Sequence, residues 1–105
     1  MNTYGELKHD LVLFHHGAGY TSSTWKSLIS VLNRSLKDVC FVSFDMRSHG
    51  NSCASSKFSI KDLVSDAITV LTSVTSLNTN EINVFLAGHS LGAAVLAQLP
   101  DIFNG

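Results

Sequence analysis

Residues 82–96, which read INVFLAGHSLGAAVL, decide the fold. An apolar run of strand length leads into Gly88-His89-Ser90-Leu91-Gly92, and small residues that suit a closely packed helix follow. This order of strand, sharp turn and helix start is the context in which the G-x-S-x-G pattern forms a nucleophile elbow. The stretch therefore predicts that Ser90 is a nucleophile held at the top of a strand-to-helix turn.

The glycines that flank the serine have a mechanical reason. A turn this tight brings the strand and helix backbones together at Gly88 and Gly92, where a side chain would clash. The N–H of Leu91 lies at the helix start, where it can face a developing oxyanion. The competing interpretation is a glycine-rich turn that only allows close packing, with Ser90 as the helix cap. His89 is expected to pack beneath the elbow.

A second glycine-containing loop follows the first predicted strand, in the stretch FHHGAGYTSS. The His16-Gly17-Ala18-Gly19 core resembles the H-G-G-G type of loop that supplies the other oxyanion-hole amide in esterases and lipases. Glycine suits this loop because backbone atoms must face the oxyanion. The N–H of Ala18 is the predicted donor, and that of Gly19 is the alternative.

The same loop also suggests a different class of protein. Gly17 to Ser22 follows a strand, opens a helix and nearly spells the dinucleotide fingerprint G-x-G-x-x-G, and Asp45 closes the next strand. However, Ser22 stands where the third glycine belongs. Nucleotide binding and a plain β-α turn therefore remain as weaker alternatives to the oxyanion loop.

Strand-length apolar runs alternate with stretches of helical period, which predicts an α/β fold of order β-α-β-α-β-α. The predicted strands are Leu11–His15, Val39–Asp45 and Ile82–Ala87. Nearly continuous apolar strands indicate three parallel strands with helices on both faces. We expect the first strand to lie between the other two, which would leave the second and third strands as bare edges.

The predicted helices follow from caps and spacing. The first begins after the Thr21-Ser22-Ser23 cluster, and the second opens at Ser59 with Asp62 completing a capping box. The third runs from Leu91 to Leu99, where Pro100 ends it. The first helix carries an apolar stripe formed by Trp25, Leu28, Ile29, Leu32 and Leu36. The second carries a stripe formed by Leu63, Val64, Ala67, Ile68, Leu71 and Val74.

Composition bounds the remaining possibilities. A chain of 105 residues allows one domain, and its 45% hydrophobic content is typical of a folded protein. A net charge of -1 without charge runs argues against nucleic acid and anionic membrane partners. The sequence shows no apolar run of membrane-span length and no signal peptide, so we expect a soluble protein of the cytoplasm, with the nucleus as the alternative. Cys40 and Cys53 suggest neither a disulfide nor a metal site, and no cofactor is expected.

A third loop, DMRSHGNS at residues 45–52, follows the second strand. Arg47 and His49 could frame a pocket there, or Asp45 and Arg47 could serve in a structural ion pair. Taken in order, the three loops resemble the α/β-hydrolase superfamily across nearly the whole chain. Within it, HHGAG followed by Trp25, then FDMRSHG, then AGHSLGAAV, look most like the protein phosphatase methylesterases.

This resemblance implies a serine hydrolase that removes the methyl ester from the carboxyl-terminal residue of a serine/threonine phosphatase catalytic subunit, its protein partner. It places the nucleophile at Ser90 and the oxyanion contacts at Ala18 and Leu91. Ala18 and Ala93 stand where many relatives would have glycine, which affects only fine geometry.

The resemblance also implies catalytic groups that this chain does not contain. Family members carry their catalytic Asp on the loop of a later strand and their His near the carboxyl end. Residues 1–105 are therefore expected to form a partial α/β-hydrolase domain without those strands or the opening strands. None of the histidines at positions 9, 15, 16, 49 and 89 is expected to act as the base. The isolated chain is expected to be inactive, and its alternative role is that of a binding module.

Overall fold

The chain forms a four-stranded sheet in a computed structural model that describes residues 1–17, 20–47, 59–76 and 81–99. The strands are β1 (Asn2–Tyr4), β2 (Asp10–His15), β3 (Val39–Phe44) and β4 (Asn83–Gly88). A short 3-10 helix, Ser22–Trp25, leads into the first of the helices, which are α1 (Lys26–Ser35), α2 (Ile60–Thr75) and α3 (Leu91–Leu96). The spatial order of the strands is β1-β3-β2-β4.

Strands β2, β3 and β4 are parallel, as the sequence predicts, and β2 lies between the other two. Asp10 at the start of β2 pairs with Val39 on one side and with Asn83 on the other, and His15 at its end pairs with Phe44 and Gly88. The carboxyl ends of the three strands therefore meet at one edge of the sheet. In open α/β sheets this edge carries the ligand-binding loops.

The outer side of β3 is not bare, so that prediction is wrong. The short strand β1 pairs with it in antiparallel fashion, with Asn2 opposite Ser43 and Tyr4 opposite Phe41. Strand β1 has no signal in the sequence, because its three residues form no apolar run. Strand β4 has no strand on its outer side within the described residues, and Val84 and Phe85 are exposed there.

Helices cover both faces of the sheet, which explains the nearly continuous apolar strands. Alternate side chains such as Leu11 and Leu13 pack on one side against α2 and α3. Phe14 and Phe41 point to the other side, where they meet Ile29 of α1 and the ring of Trp25. A central strand that is buried on both faces has no polar face to show in its sequence.

The apolar stripe of α1 is narrower than predicted. Trp25, Ile29 and Leu32 pack on the sheet, whereas Leu28 and Leu36 are each 46% exposed. The chain enters the helix through the 3-10 turn, which Thr21 caps by accepting the Ser23 N–H. Leu36 is the C-cap residue, with a φ of −116° and a ψ of 89°, so it lies beyond the last helical residue, Ser35, and leaves the predicted stripe.

Helix α2 begins with the predicted capping box. The Ser59 hydroxyl accepts the Asp62 N–H at 3.3 Å, and the Asp62 carboxylate accepts the Ser59 N–H at 2.9 Å. That backbone bond holds the pKa of Asp62 below its usual value. The predicted stripe faces the core: Leu63, Val64, Ala67 and Leu71 are buried, and Ile68 and Val74 pack against them.

We expect Ser59→Ala to lower the free energy of unfolding by about 1 kcal/mol, because one orphan N–H of the first turn loses its acceptor. Urea denaturation followed by circular dichroism measures this change. Ser65→Ala is the matched control, since Ser65 is exposed in the middle of the same helix. An equal loss in both variants would contradict the cap.

Helix α3 is shorter than predicted. It ends at Leu96, a turn follows, and Leu99 is buried beyond that turn. Pro100 lies outside the described residues. No helix in the described ranges is both long and apolar enough to cross a membrane.

Candidate active site

Ser90 occupies the turn between β4 and α3 in a strained backbone conformation. Its φ of 56° and ψ of −119° make it the one non-glycine residue with positive φ in the described part of the chain. Such a conformation costs on the order of 1–3 kcal/mol and is concentrated at functional sites. Although Ser90 stands at the N-cap position of α3, its side chain makes no capping hydrogen bond, and the residue is exposed. The helix-cap interpretation therefore does not describe this hydroxyl.

The flanking glycines lie where the backbones touch. A Cβ on Gly88 would stand 2.6 Å from the Cα and N atoms of Ala93. A Cβ on Gly92 would stand 2.6 Å from the carbonyl oxygen of His16 and closer still to that of His15. These neighbours are main-chain atoms, which cannot rotate away. The predicted mechanical reason for both glycines is confirmed.

The turn that follows β2 lies directly beside the elbow. A Cβ on Gly17 would be 3.2 Å from Cβ of Ser90 and 3.1 Å from the carbonyl oxygen of His89. The His89 N–H donates to the carbonyl of His15 at 3.1 Å, which fastens the elbow to β2. The predicted oxyanion loop contains Gly17, Ala18 and Gly19. Of these, Ala18 and Gly19 lie outside the described residues. Leu91, the other predicted donor, is the first residue of α3.

His89 does not pack beneath the elbow, so that expectation is wrong. The residue is exposed, and its ring meets the ring of Tyr20 edge-on, with the centroids 5.6 Å apart. Strand β4 ends at Gly88, so the alternation of its side chains does not direct His89 toward the core. His89 and Tyr20 thus form an aromatic rim next to the serine.

The buried histidine His16 uses both ring nitrogens in hydrogen bonds to the backbone. Its Nε2 accepts the N–H of Met46 at 2.8 Å, and its Nδ1 lies 2.8 Å from the carbonyl oxygen of Gly17. Since Nε2 is the acceptor, Nδ1 carries the proton and donates a hydrogen bond to the Gly17 carbonyl oxygen. The ring therefore links the loop after β3 to the turn after β2, and no pattern in the sequence predicts this role.

His15 is also buried, and its ring lies beside that of His16, with the centroids 5.8 Å apart. Its Nδ1 pairs with the carbonyl oxygen of His16 at 2.9 Å, and its ring packs edge-on against Phe44. Nε2 has no hydrogen-bond partner among the described residues. Burial lowers the pKa of His15, because the charged imidazolium loses its hydration.

The pH dependence of stability tests this environment. An unfolded histidine titrates near its ordinary value of about 6.5. Between that value and the lowered pKa of the folded state, the unfolded chain binds more protons, so the free energy of unfolding falls as the pH falls below about 6.5. The contribution of this one group has a slope of at most about 1.4 kcal/mol per pH unit. Urea titrations of the wild type and His15→Asn at several pH values measure it, and equal slopes in the two proteins would contradict it.

The loop after β3 contacts the 3-10 helix on one face of the sheet and α2 on the other. Asp45 accepts the N–H of Ser22 at 2.7 Å, at the start of the 3-10 helix. Arg47 forms a two-pronged ion pair with Asp66 of α2, with both nitrogen-to-oxygen distances at 2.7 Å, and Asp62 lies 3.9 Å away. Hydrogen bonding to Asp66 raises the pKa of Arg47. His49, the other predicted pocket residue, lies outside the described residues.

These contacts bear on two sequence-based alternatives. Arg47 serves in a structural ion pair, and its partner Asp66 was not predicted; the signal was the acidic pair at positions 62 and 66, which share one helix face at i, i+4 spacing. The Asp45 carboxylate accepts the hydrogen bond of the Ser22 N–H. A dinucleotide pyrophosphate would need free N–H groups at this helix start. The arrangement does not favour nucleotide binding.

The sequence is similar to a known protein family and to proteins of known name. A family model described as the alpha/beta hydrolase family matches residues 12–104. The protein phosphatase methylesterase 1 of Candida albicans is 41% identical over 93 residues, which cover 88% of this chain and 25% of that protein. Its namesake from Kluyveromyces lactis is 30% identical over 99 residues, covering 85% of this chain and 25% of that protein. The chain therefore spans about a quarter of the length of these relatives.

Solved structures show the same architecture. The thioesterase domain from the curacin biosynthetic pathway superposes with a TM-score of 0.81 at 20% identity, covering 97% of this chain and 36% of that one. A laboratory-evolved variant of potato epoxide hydrolase gives a TM-score of 0.76 at 27% identity, covering 97% of this chain and 31% of that one. An epoxide hydrolase from Vigna radiata gives 0.68 at 30% identity, covering 89% and 28%. The thioesterase likeness speaks for the fold alone.

Proposed function

Because the chain belongs to the alpha/beta hydrolase family, we propose that it carries the nucleophile of a serine carboxylesterase. The observation that carries this proposal is the conformation of Ser90. A serine with positive φ, an exposed position and no capping bond gains nothing structural from its strain, whereas an attacking hydroxyl needs that exposure.

The proposed reaction is acyl transfer in two steps. Oγ of Ser90 attacks the ester carbonyl carbon and gives up its proton to a general base. The carbonyl oxygen becomes an oxyanion that accepts hydrogen bonds from the N–H groups of Leu91 and Ala18. The carbon–oxygen bond to the alcohol then breaks, the alcohol leaves with a proton, and water hydrolyses the acyl-enzyme to free acid and Ser90.

We propose that the base and its orienting acid come from outside residues 1–105. Within the described residues, both nitrogens of His16 are bound to backbone groups, and the Nδ1 of His15 is bound to His16. A general base needs one nitrogen toward the serine and a partner for the other. Residues 1–105 alone are expected to show at most a residual acceleration of roughly 10³–10⁴-fold over water.

The relatives named protein phosphatase methylesterase 1 support a substrate class. We propose a methyl ester of the carboxyl-terminal carboxylate of a serine/threonine phosphatase catalytic subunit, which makes that subunit the protein partner. Hydrolysis would release methanol and restore the carboxylate.

The experiment uses the protein at its full natural length and a phosphatase carboxyl-terminal peptide bearing the methyl ester. We expect methanol release and a 14 Da loss from the peptide by mass spectrometry, since a methyl group is replaced by hydrogen. The matched substrate is the same peptide with a carboxyl-terminal amide, which should stay intact. An intact methyl ester together with cleaved p-nitrophenyl acetate would refute the substrate but keep the esterase. Inertness toward both esters would refute the esterase.

A second candidate function follows from His16, the buried histidine whose two ring nitrogens are both engaged by the backbone. If residues 1–105 act alone and none of their histidines serves as the base, the chain would bind its partner without hydrolysing it. This alternative predicts co-purification with the phosphatase subunit, equal for the wild type and Ser90→Ala, with no loss of methyl ester. Turnover by the 105-residue chain itself would rule it out.

A further inference from the structure

We infer that residues 45–47 and His16 form a brace, by which we mean a set of hydrogen bonds that holds the Gly17 peptide group in place beside Ser90. His16 is the positioning residue of this brace. The inference rests on the proposed function, because it assigns the brace to the oxyanion side of that site. It also assigns a role to the D-x-R part of the third loop, which the proposed reaction does not use.

The first and third members of the brace anchor the end of β3 from both faces of the sheet. Asp45 holds the start of the 3-10 helix through the Ser22 N–H at 2.7 Å. Arg47 grips Asp66 of α2, on the other face, through two bonds of 2.7 Å. A planar guanidinium that pairs with both carboxylate oxygens fixes orientation as well as distance. The residue between them therefore has little freedom to move.

That middle residue, Met46, connects the anchored loop to its neighbour. Its side chain is buried, and its N–H donates to Nε2 of His16 at 2.8 Å. The His16 ring is fully buried, so water does not compete for this bond. With Nε2 engaged as the acceptor, the ring donates from Nδ1 to the Gly17 carbonyl at 2.8 Å. The rigid imidazole ring thus holds the turn after β2 at a fixed distance from the end of β3.

Gly17 is the point where this chain of bonds reaches the elbow. Its carbonyl also accepts the Tyr20 N–H at 3.1 Å, and its Cα faces Ser90 closely enough that a Cβ would stand 3.2 Å from the serine Cβ. In a planar trans peptide, the C=O and the following N–H point in opposite directions. Fixing the Gly17 carbonyl therefore restrains the plane of the peptide bond that Gly17 begins. Ala18, whose N–H is the proposed oxyanion donor, is the next residue in the sequence and lies outside the described residues.

This role predicts a particular kinetic defect. An oxyanion donor acts on the transition state, so a loosened Gly17 peptide should lower kcat and leave KM nearly unchanged. In the full-length protein, His16→Gln keeps an acceptor near the Met46 N–H but lacks the Nδ1 donor to Gly17. We expect kcat, normalised to serine sites titrated with a fluorophosphonate, to fall about 10- to 100-fold, with KM within about twofold. His9→Gln is the matched control, because His9 is exposed at the far end of β2, and it should match the wild type.

Arg47→Lys tests the brace at a distance from the serine. It keeps the positive charge but loses the two-pronged geometry, so we expect a smaller decrease in kcat, roughly 3- to 10-fold, again without a change in KM. If either His16→Gln or Arg47→Lys lowers only the melting temperature while kcat per titrated site stays at the wild-type value, the residues are merely structural and the inference fails.

A spectroscopic measurement separates this inference from the proposed function. Long-range ¹H–¹⁵N spectra of histidine-labelled protein, assigned by comparison with His16→Gln, should show His16 as the neutral form protonated at Nδ1. The form protonated at Nε2 would overturn the brace even in an active enzyme. Conversely, a wild type that hydrolyses no ester and does not label at Ser90 would refute the proposed function, while the same spectrum would still decide whether the His16 bonds exist.

Discussion

Replacing Ser90 is expected to abolish ester hydrolysis without weakening the fold. Loss of a serine nucleophile costs on the order of 10⁶-fold in kcat, because the covalent route disappears and only binding and the oxyanion donors remain. Ser90→Ala removes the hydroxyl but keeps a Cβ at a φ of 56°. Ser90→Gly removes both the hydroxyl and the strain. The pair thus separates chemistry from backbone conformation.

The two variants should differ in stability and agree in activity. We expect Ser90→Ala to unfold at the same urea concentration as the wild type, since no hydrogen bond of the Ser90 side chain is lost at the cap. Ser90→Gly should be more stable by about 1 kcal/mol, because glycine adopts positive φ without a steric cost.

Three measurements on the full-length protein decide this prediction: methyl-ester hydrolysis, fluorophosphonate labelling with peptide mapping, and urea denaturation. Exposed Ser65 provides the control for general loss of a hydroxyl, and Ser65→Ala should label and turn over like the wild type. Labelling at a residue other than Ser90, or substantial turnover by both variants, would remove Ser90 from the mechanism.

Gly92→Ala is expected to be the most destabilising single methyl addition at the site. In the interior of an ordinary helix, alanine is better than glycine by about 1 kcal/mol. Here the added Cβ would meet the carbonyl oxygens of His15 and His16, the latter at 2.6 Å. Because both are backbone atoms, one in the last residue of β2 and one in the residue after it, α3 must move away from the sheet. We expect a net loss of about 3 kcal/mol or more and a matching loss of activity, since Ser90 moves with α3.

The control for Gly92 uses the opposite exchange on the same helix. Ala94 is exposed, so Ala94→Gly should lose about 1 kcal/mol from helix propensity alone and keep the wild-type kcat. Urea denaturation and initial rates compare the two variants directly. A Gly92→Ala protein as stable as the wild type would show that the helix and strand do not approach as closely as the structure places them.

Much of this architecture was predictable because local signals and packing agree. The three parallel strands appear as apolar runs since β2, at the centre, is covered on both faces, and α2 is marked by both its cap at Ser59 and its apolar period. The elbow was predictable because glycine is needed wherever two backbones touch. In each case the residue type is dictated by its own position.

The features that were missed depend on partners distant in the chain. Strand β1 forms because it pairs with the outer side of β3, and nothing in its own three residues indicates a strand. The bonds of His16 depend on the Met46 N–H, 30 positions away, and a backbone donor leaves no trace in the sequence. The exposure of His89 follows from its place just after β4, which ends at Gly88, because a strand's alternation no longer applies there.

The outer side of β4 affects how the protein must be handled in solution. Val84 and Phe85, 38% and 54% exposed, lie on a strand whose outer backbone groups face no other strand within the described residues. Such a surface recruits further copies into sheet-like aggregates as the concentration rises. Ser90 stands immediately beyond this same strand, so self-association would obstruct the hydroxyl. Light scattering by the 105-residue chain should therefore rise more steeply than its concentration, and dilute samples should be used to label Ser90.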